Sequence, residues 1–274
     1  MNTHRRLIFS AVAAICGLSL FAQAPTDGSI KDNRTNPDVF FLEMGDCANS
    51  LELLPGPPDI QSIGFLYDKA RYEWGKSLRD TERGEQAFQD ARVSGQDLPN
   101  AFAEAFGVAI TPEGTPEIYR LIVGMREDAG DLATREAKQY YNRVRPFKYF
   151  NEMTCNPEQQ EELSTNGSYP SGHSSLGWAT ALILAELNPD RQDEILERGF
   201  QMGESRVICG YHFQSDVDAG RITGSGAVAR LHADPNFSKQ LDKAKKEFAN
   251  LKKQGKVAPG KRPQVAHGFR EPEK

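Results

Sequence analysis

The chain has 274 residues, 38% of them hydrophobic and 26% charged, which is enough to bury a sizeable core and too ordinary a balance for a disordered or fibrous protein. Its 33 Lys and Arg stand against 38 Asp and Glu, a net charge of −5, which excludes nucleic acid as a general partner. The five histidines and four cysteines form no repeated metal-ligand spacing, so no cofactor or metal is expected.

The N-terminus reads as an export signal over residues 1–24. Arg5 and Arg6 form a positive start, Leu7 to Phe21 carries no charge, and Ala22-Gln23-Ala24 is a small-x-small cleavage site. The uncharged stretch is short for a spanning helix, which needs about 20 residues. Ile15 before Cys16 argues against a lipoprotein site. After processing, the chain is expected to be periplasmic and free of the membrane.

Residues 25–58 are rich in Asp, Asn, Gly and Pro and predict an irregular arm. From Asp59 the pattern turns helical, with Ile63, Leu66, Ala70 and Trp74 near helical spacing. Further helices are predicted over 80–92, 98–106, 115–142, 157–164, 173–187, 191–209, 213–232 and 234–252. No alternating strand of useful length, repeat or interior linker interrupts them. The expected architecture is all-α, a single helical-bundle domain over 59–252. Residues 253–274 lose the apolar period and predict a loose basic tail.

Three clusters carry the chemistry. The first is Lys138, six residues, then Arg145-Pro146; on one helix the two cations share a face, and the proline ends it. The second is Pro170-Ser171-Gly172-His173, where Ser171 or Gly172 caps an apolar helix whose free N–H groups favour an anion. The third is Ser205-Arg206, five residues, His212, three residues, Asp216; at i and i+4 on a helix, the carboxylate orients the ring. Taken singly, each has a plain structural reading: solvated cations, a capping-region histidine, a structural His/Asp hydrogen bond. Together they supply cations for the equatorial oxygens of a tetrahedral oxyanion, a nucleophile and an acid. If the clusters meet, Cys155 and Cys209 come close and are the disulfide candidate; three buried thiols, with Cys47, are the alternative. Gly220 and Gly224 suggest a closely packed helix face.

In this order and spacing the clusters resemble the signature of the type 2 phosphatidic acid phosphatase superfamily, which also contains the vanadium haloperoxidases. Gly130-Asp131-Leu132-Ala133-Thr134-Arg135, Asn166-Gly167-Ser168-Tyr169, Gly177-Trp178-Ala179-Thr180-Ala181 and Gln214-Ser215-Asp216-Val217-Asp218 further resemble the bacterial class A non-specific acid phosphatases, over roughly residues 36–250. The resemblance implies that His212 attacks phosphorus, Asp216 orients it, and His173 protonates the leaving alkoxide. It also implies that Lys138, Arg145, Ser171, Gly172 and Arg206 bind the phosphoryl oxygens. Expected substrates are small phosphomonoesters (nucleotides, sugar phosphates, aryl phosphates), with phosphate transfer to alcohols as a side reaction. The resemblance further implies a homodimer or larger homo-oligomer and an acidic working range, in which a histidine acid near its ordinary pKa is protonated. Rival readings are a vanadium-dependent haloperoxidase, a membrane lipid-phosphate phosphatase and a non-catalytic periplasmic phosphate-binding protein. Phe147, Tyr149 and Tyr169 beside the clusters read equally as a nucleoside platform or as core.

Overall fold

The computed structural model describes residues 40–43 and 45–260. The export signal, Cys16 and the end of the basic tail lie outside the described residues. Among the described residues there is no strand; besides one π-turn and two short 3-10 turns there are twelve α-helices. In chain order they are α1 (Ser50–Leu53), α2 (Ile63–Ser77), α3 (Glu82–Gln89), α4 (Asp97–Phe106), α5 (Pro116–Gly124), α6 (Arg135–Tyr141), α7 (Pro146–Phe150), α8 (Gln160–Leu163), α9 (Gly172–Leu187), α10 (Gln192–Ile208), α11 (Gln214–His232) and α12 (Pro235–Lys253).

Five of the twelve helix starts carry a side-chain cap. Ser62, Thr81 and Asp234 accept backbone N–H groups at the openings of α2, α3 and α12, which satisfies donors that have no partner within the helix. Gly107, with φ +87, closes α4 in the left-handed conformation that glycine adopts at least cost.

The helix predicted over 115–142 is three pieces. After α5 the chain widens into a π-turn over Asp128–Leu132 and restarts as α6. The turn is held from outside the helix. Asp128 accepts the N–H groups of Phe41 and Leu42 at 2.8 and 3.2 Å, and Ser175 on α9 donates to the Ala129 carbonyl at 2.5 Å. The arm predicted as irregular therefore has a structural task at Phe41 and Leu42, and it contains α1 as well. At the other end, Ala258 donates to the Gly107 carbonyl and Arg191 to that of Pro259, so residues after Lys253 lie along the domain before the described chain ends.

α9 is the central helix. It is apolar or small on almost every side and packs mainly against α10 and α11. Burial of Leu176, Ile183, Leu184 and Leu187 contributes roughly 1.5–3 kcal/mol each. The contact with α11 is set by glycine: a Cβ at Gly220 would lie 2.5 Å from the Ser171 carbonyl oxygen, and one at Gly224 would lie 2.4 Å from that of Ser175. This close approach brings the N-terminal ends of α9 and α11 side by side, and with them His173 and His212. α12 covers α5 on the far side.

Candidate active site

The first cluster is not on one helix. α6 ends at Tyr141 because Asn142 takes a left-handed conformation, φ 38. Arg145 is extended (φ −71, ψ 152), as a residue before proline prefers, and Pro146 opens α7 rather than closing a helix. Lys138 and Arg145 nevertheless converge, because the loop at 166–170 lies between them. Lys138 Nζ donates to the carbonyls of Gly167 and Pro170 at 3.2 and 2.7 Å. Arg145 donates to the Asn166 and Tyr211 carbonyls at 3.3 and 3.1 Å and to the Asn166 side chain.

The third cation comes from the last turn of α10. Arg206 is 1% exposed, with its guanidinium 4.2 Å from the centre of the Tyr211 ring. Its Nε and one terminal nitrogen have no acceptor among the described residues. None of Lys138, Arg145 and Arg206 is paired with a carboxylate among those residues. Burial, above all, lowers their proton affinity, to about 7 for Lys138, about 10 for Arg145 and about 9 for Arg206. Three buried cations, with donors to spare on Lys138 and Arg206, form a cradle suited to an anion.

Ser171 is the N-cap of α9. Its hydroxyl oxygen accepts from the Ser174 N–H at 3.3 Å and from the Ser174 hydroxyl at 2.8 Å, which leaves its own proton to donate. The N–H groups of Gly172 and His173 lie in the first turn of α9 and have no intrahelical acceptor. A Cβ on Gly172 would come within 2.9 Å of the Gly130 carbonyl in the π-turn, so the widened turn and this glycine fit each other.

His212 lies just outside α11, whose first residue is Gln214, so it and Asp216 are not two positions of one helix. Arg145 reaches His212 Nε2 at 3.0 Å. A guanidinium only donates, so Nε2 must be the acceptor and carry the lone pair, and the ring proton sits on Nδ1. Asp216 Oδ2 is 3.5 Å from that Nδ1, longer than a good hydrogen bond. The tighter bonds of Asp216 go elsewhere: to the Phe213 N–H at 2.8 Å and to Arg143 at 2.5 Å. The carboxylate therefore acts on the ring mainly through its charge.

His173 Nε2 faces the Ala91 carbonyl at 3.2 Å. Burial, then the Arg206 cation, holds His173 well below 6.5, and burial with Arg145, Lys138 and Arg206 does the same to His212. The expectation of a histidine acid near its ordinary pKa is corrected on this point: burial and the neighbouring cations disfavour the protonated form of both rings.

Ser205, next to Arg206, points away and donates its hydroxyl to Asp90 at 2.6 Å. Cys155 and Cys209 form a disulfide, which ties the 151–156 loop to the end of α10. Cys47 is free, its thiol pushed up to about 12 by burial. Phe147 and Tyr169 are buried core rather than a platform, whereas Tyr149 packs edge-on against Phe65 and Phe213 and is 42% exposed. Sequence reasoning missed Arg143 and Asp68. The available signal was a carboxylate on the buried face of α2, in register with Phe65, Tyr72 and Gly75.

The PAP2 superfamily profile matches residues 123–238. The non-specific acid phosphatase of Providencia stuartii is 55% identical over 240 residues, which cover 88% of this chain and 96% of that protein. The non-specific acid phosphatase of Salmonella typhimurium is 43% identical over 208 residues, 76% of this chain and 83% of that protein. An acid phosphatase of Zymomonas mobilis is 37% identical over 202 residues, 73% and 76% of the two chains.

Proposed function

The chain belongs to the non-specific acid phosphatases of the PAP2 superfamily, and from that premise we propose that it hydrolyses phosphomonoesters in two displacements through a phosphohistidine on His212. The observation that carries this reading is the set of three buried, carboxylate-free cations beside a histidine nitrogen whose lone pair is fixed toward them.

In the first step the phosphoryl oxygens lie against Lys138, Arg145, Arg206, the Ser171 hydroxyl and the N–H groups at the start of α9. His212 Nε2 forms a bond to phosphorus as the bond to the ester oxygen breaks, and His173 gives its proton to the departing alkoxide. Asp216 offsets the positive charge that develops on the phosphorylated ring. In the second step His173 takes a proton from water, the water oxygen attacks phosphorus, and the P–N bond returns its pair to His212. An alcohol in place of that water gives phosphate transfer.

The two histidines need opposite states at the start: His212 neutral, His173 protonated. The empty cradle favours neutrality for both. A bound phosphate ester brings negative charge next to His173 and raises its proton affinity, so catalysis gains as pH falls until His212 itself takes a proton. An acidic working range follows. The donor set is cationic and repels a divalent metal, which supports a metal-independent reaction. Small monoesters such as nucleotides, sugar phosphates and aryl phosphates suit a cradle that engages three non-bridging oxygens. We further propose export to the periplasm through residues 1–24, and a homo-oligomeric assembly.

The test is a turnover screen of phosphomonoesters and phosphodiesters with chelator present, in wild type and His212→Ala. The proposal expects monoester hydrolysis that EDTA does not touch, competition by vanadate, and no turnover in the variant. Activity lost on chelation and restored by a divalent ion would contradict it.

A further inference from the structure

Between Lys138 and Arg145 lies another cation, Arg143, which the proposed reaction does not use. Its side chain turns away from the cradle. One terminal nitrogen donates to Asp216 Oδ1 at 2.5 Å and to the Ser215 hydroxyl at 2.8 Å; the other donates to Asp68 Oδ2 at 2.8 Å. The guanidinium lies 4.3 Å from the centre of the Phe213 ring. Both carboxylates are fully buried and come from different helices, Asp68 from α2 and Asp216 from α11. Asp68 also holds the start of α11, accepting from the Ser215 N–H at 2.8 Å and the Ser215 hydroxyl at 2.6 Å. One guanidinium thus serves two buried carboxylates, and the trio leaves one net negative charge behind His212.

We infer that Arg143 is a positioning residue: by holding Asp216 Oδ1 it aims Oδ2 at His212 Nδ1, and together with Asp68 it sets how much negative charge that ring meets. The inference rests on the reading of His212 as the nucleophile. His212 is faced by Asp216 from α11, by Lys138 from α6, by Arg145 from the loop, by Arg206 from α10 and by His173 from α9. Arg143 and Asp68 act on it only through Asp216 and through charge.

The experiment compares Arg143→Gln, Arg143→Lys, Asp68→Asn and His212→Ala with wild type, measuring kcat, inhibition by inorganic phosphate, and the pH profile of kcat/KM on an aryl phosphate. Arg143→Gln is expected to lower kcat by on the order of 100-fold, because Asp216 loses its anchor. Inhibition by inorganic phosphate should move less than about threefold, because Arg143 touches no part of the cradle. Arg143→Lys, which keeps the charge, should recover part of the loss. The acid limb of the profile reports protonation of His212. Removing the cation raises the ring's proton affinity and moves the limb to higher pH; removing the Asp68 charge moves it to lower pH.

Opposite shifts support the inference. A wild-type kcat and profile in Arg143→Gln overturn it, as does a loss shared equally by phosphate affinity, which marks a merely structural role. If Arg143→Gln does not fold, Asp68→Asn decides alone: a shift to lower pH supports, and no shift or the reverse shift overturns. Turnover retained by His212→Ala would instead remove the nucleophile reading, an outcome separate from the others.

Discussion

Arg198 and Arg206 sit eight positions apart on α10, both largely buried, and they are treated in opposite ways. Arg198 grips Asp90 with both terminal nitrogens and gives its Nε to the Ala101 carbonyl at 2.8 Å. Arg206 lies over Tyr211 with two nitrogens unengaged and no carboxylate in a salt bridge with it among the described residues. A buried charge with its counter-charge holds α10 to the segment between α3 and α4. A buried charge without one lowers stability, and on the proposed reading a bound oxyanion offsets that cost. On the proposed reading, the same amino acid on one helix is a fastener at one end and a binding group at the other.

The comparison is tested most severely at the nucleophile. His212→Ala should reduce turnover by on the order of 10⁴-fold or more and abolish acid-labile phosphate trapped on the protein. Label that persists in the variant would move the intermediate to another residue. His173→Ala should cost roughly 10²–10⁴ with alkyl phosphates, whose leaving oxygen needs a proton, and much less in the first step with aryl phosphates. Equal losses on both classes would deny His173 the acid's role.

The two arginines then separate directly. Arg206→Met should lower turnover by on the order of 10²–10³-fold while leaving the melting temperature unchanged or raised, since it removes an uncompensated buried charge. Arg198→Met should do the reverse: it strands Asp90, costs about 3–5 kcal/mol of stability, and keeps most activity per folded molecule. Matching effects of the two substitutions on stability would erase the distinction. A small kinetic effect is likewise expected from replacing both Cys155 and Cys209 by Ser. Loss of a bridge across a separation of 54 residues should cost up to about 4 kcal/mol in thermal or denaturant unfolding, with kcat changed only a few-fold at low temperature.

The contrast also explains what was legible beforehand. α9, α10, α11 and α12 follow their apolar periods to within a residue or two, because each packs along most of its length. The 115–142 segment has a helical period too, yet the structure breaks it twice. The π-turn depends on Asp128 meeting Phe41 and Leu42 and on Ser175 meeting Ala129, contacts 46 to 87 residues away in sequence that no local pattern contains. Lys138 and Arg145 were visible as residue types but not as neighbours across a loop. Their convergence relies on backbone carbonyls of the 166–170 segment, whose position no residue pattern states even where its side chains belong to a motif. Nothing local in the sequence singles out Arg143, because its partners come from α2 and α11.

The central claim is that the unpaired cations form a site for a tetrahedral oxyanion, and calorimetric titration with inorganic phosphate tests it most directly. In the free site Lys138 loses its proton above about 7, so binding of the dianion above that pH must bring the proton back. Between about pH 8 and 9 the affinity of the wild type should therefore fall with rising pH, by up to about tenfold per unit for each proton taken up. Arg198→Met should bind as wild type does, and Arg206→Met should bind at least about 100-fold more weakly. Phosphate affinity that is unchanged by Arg206→Met and flat across that pH range would contradict the account.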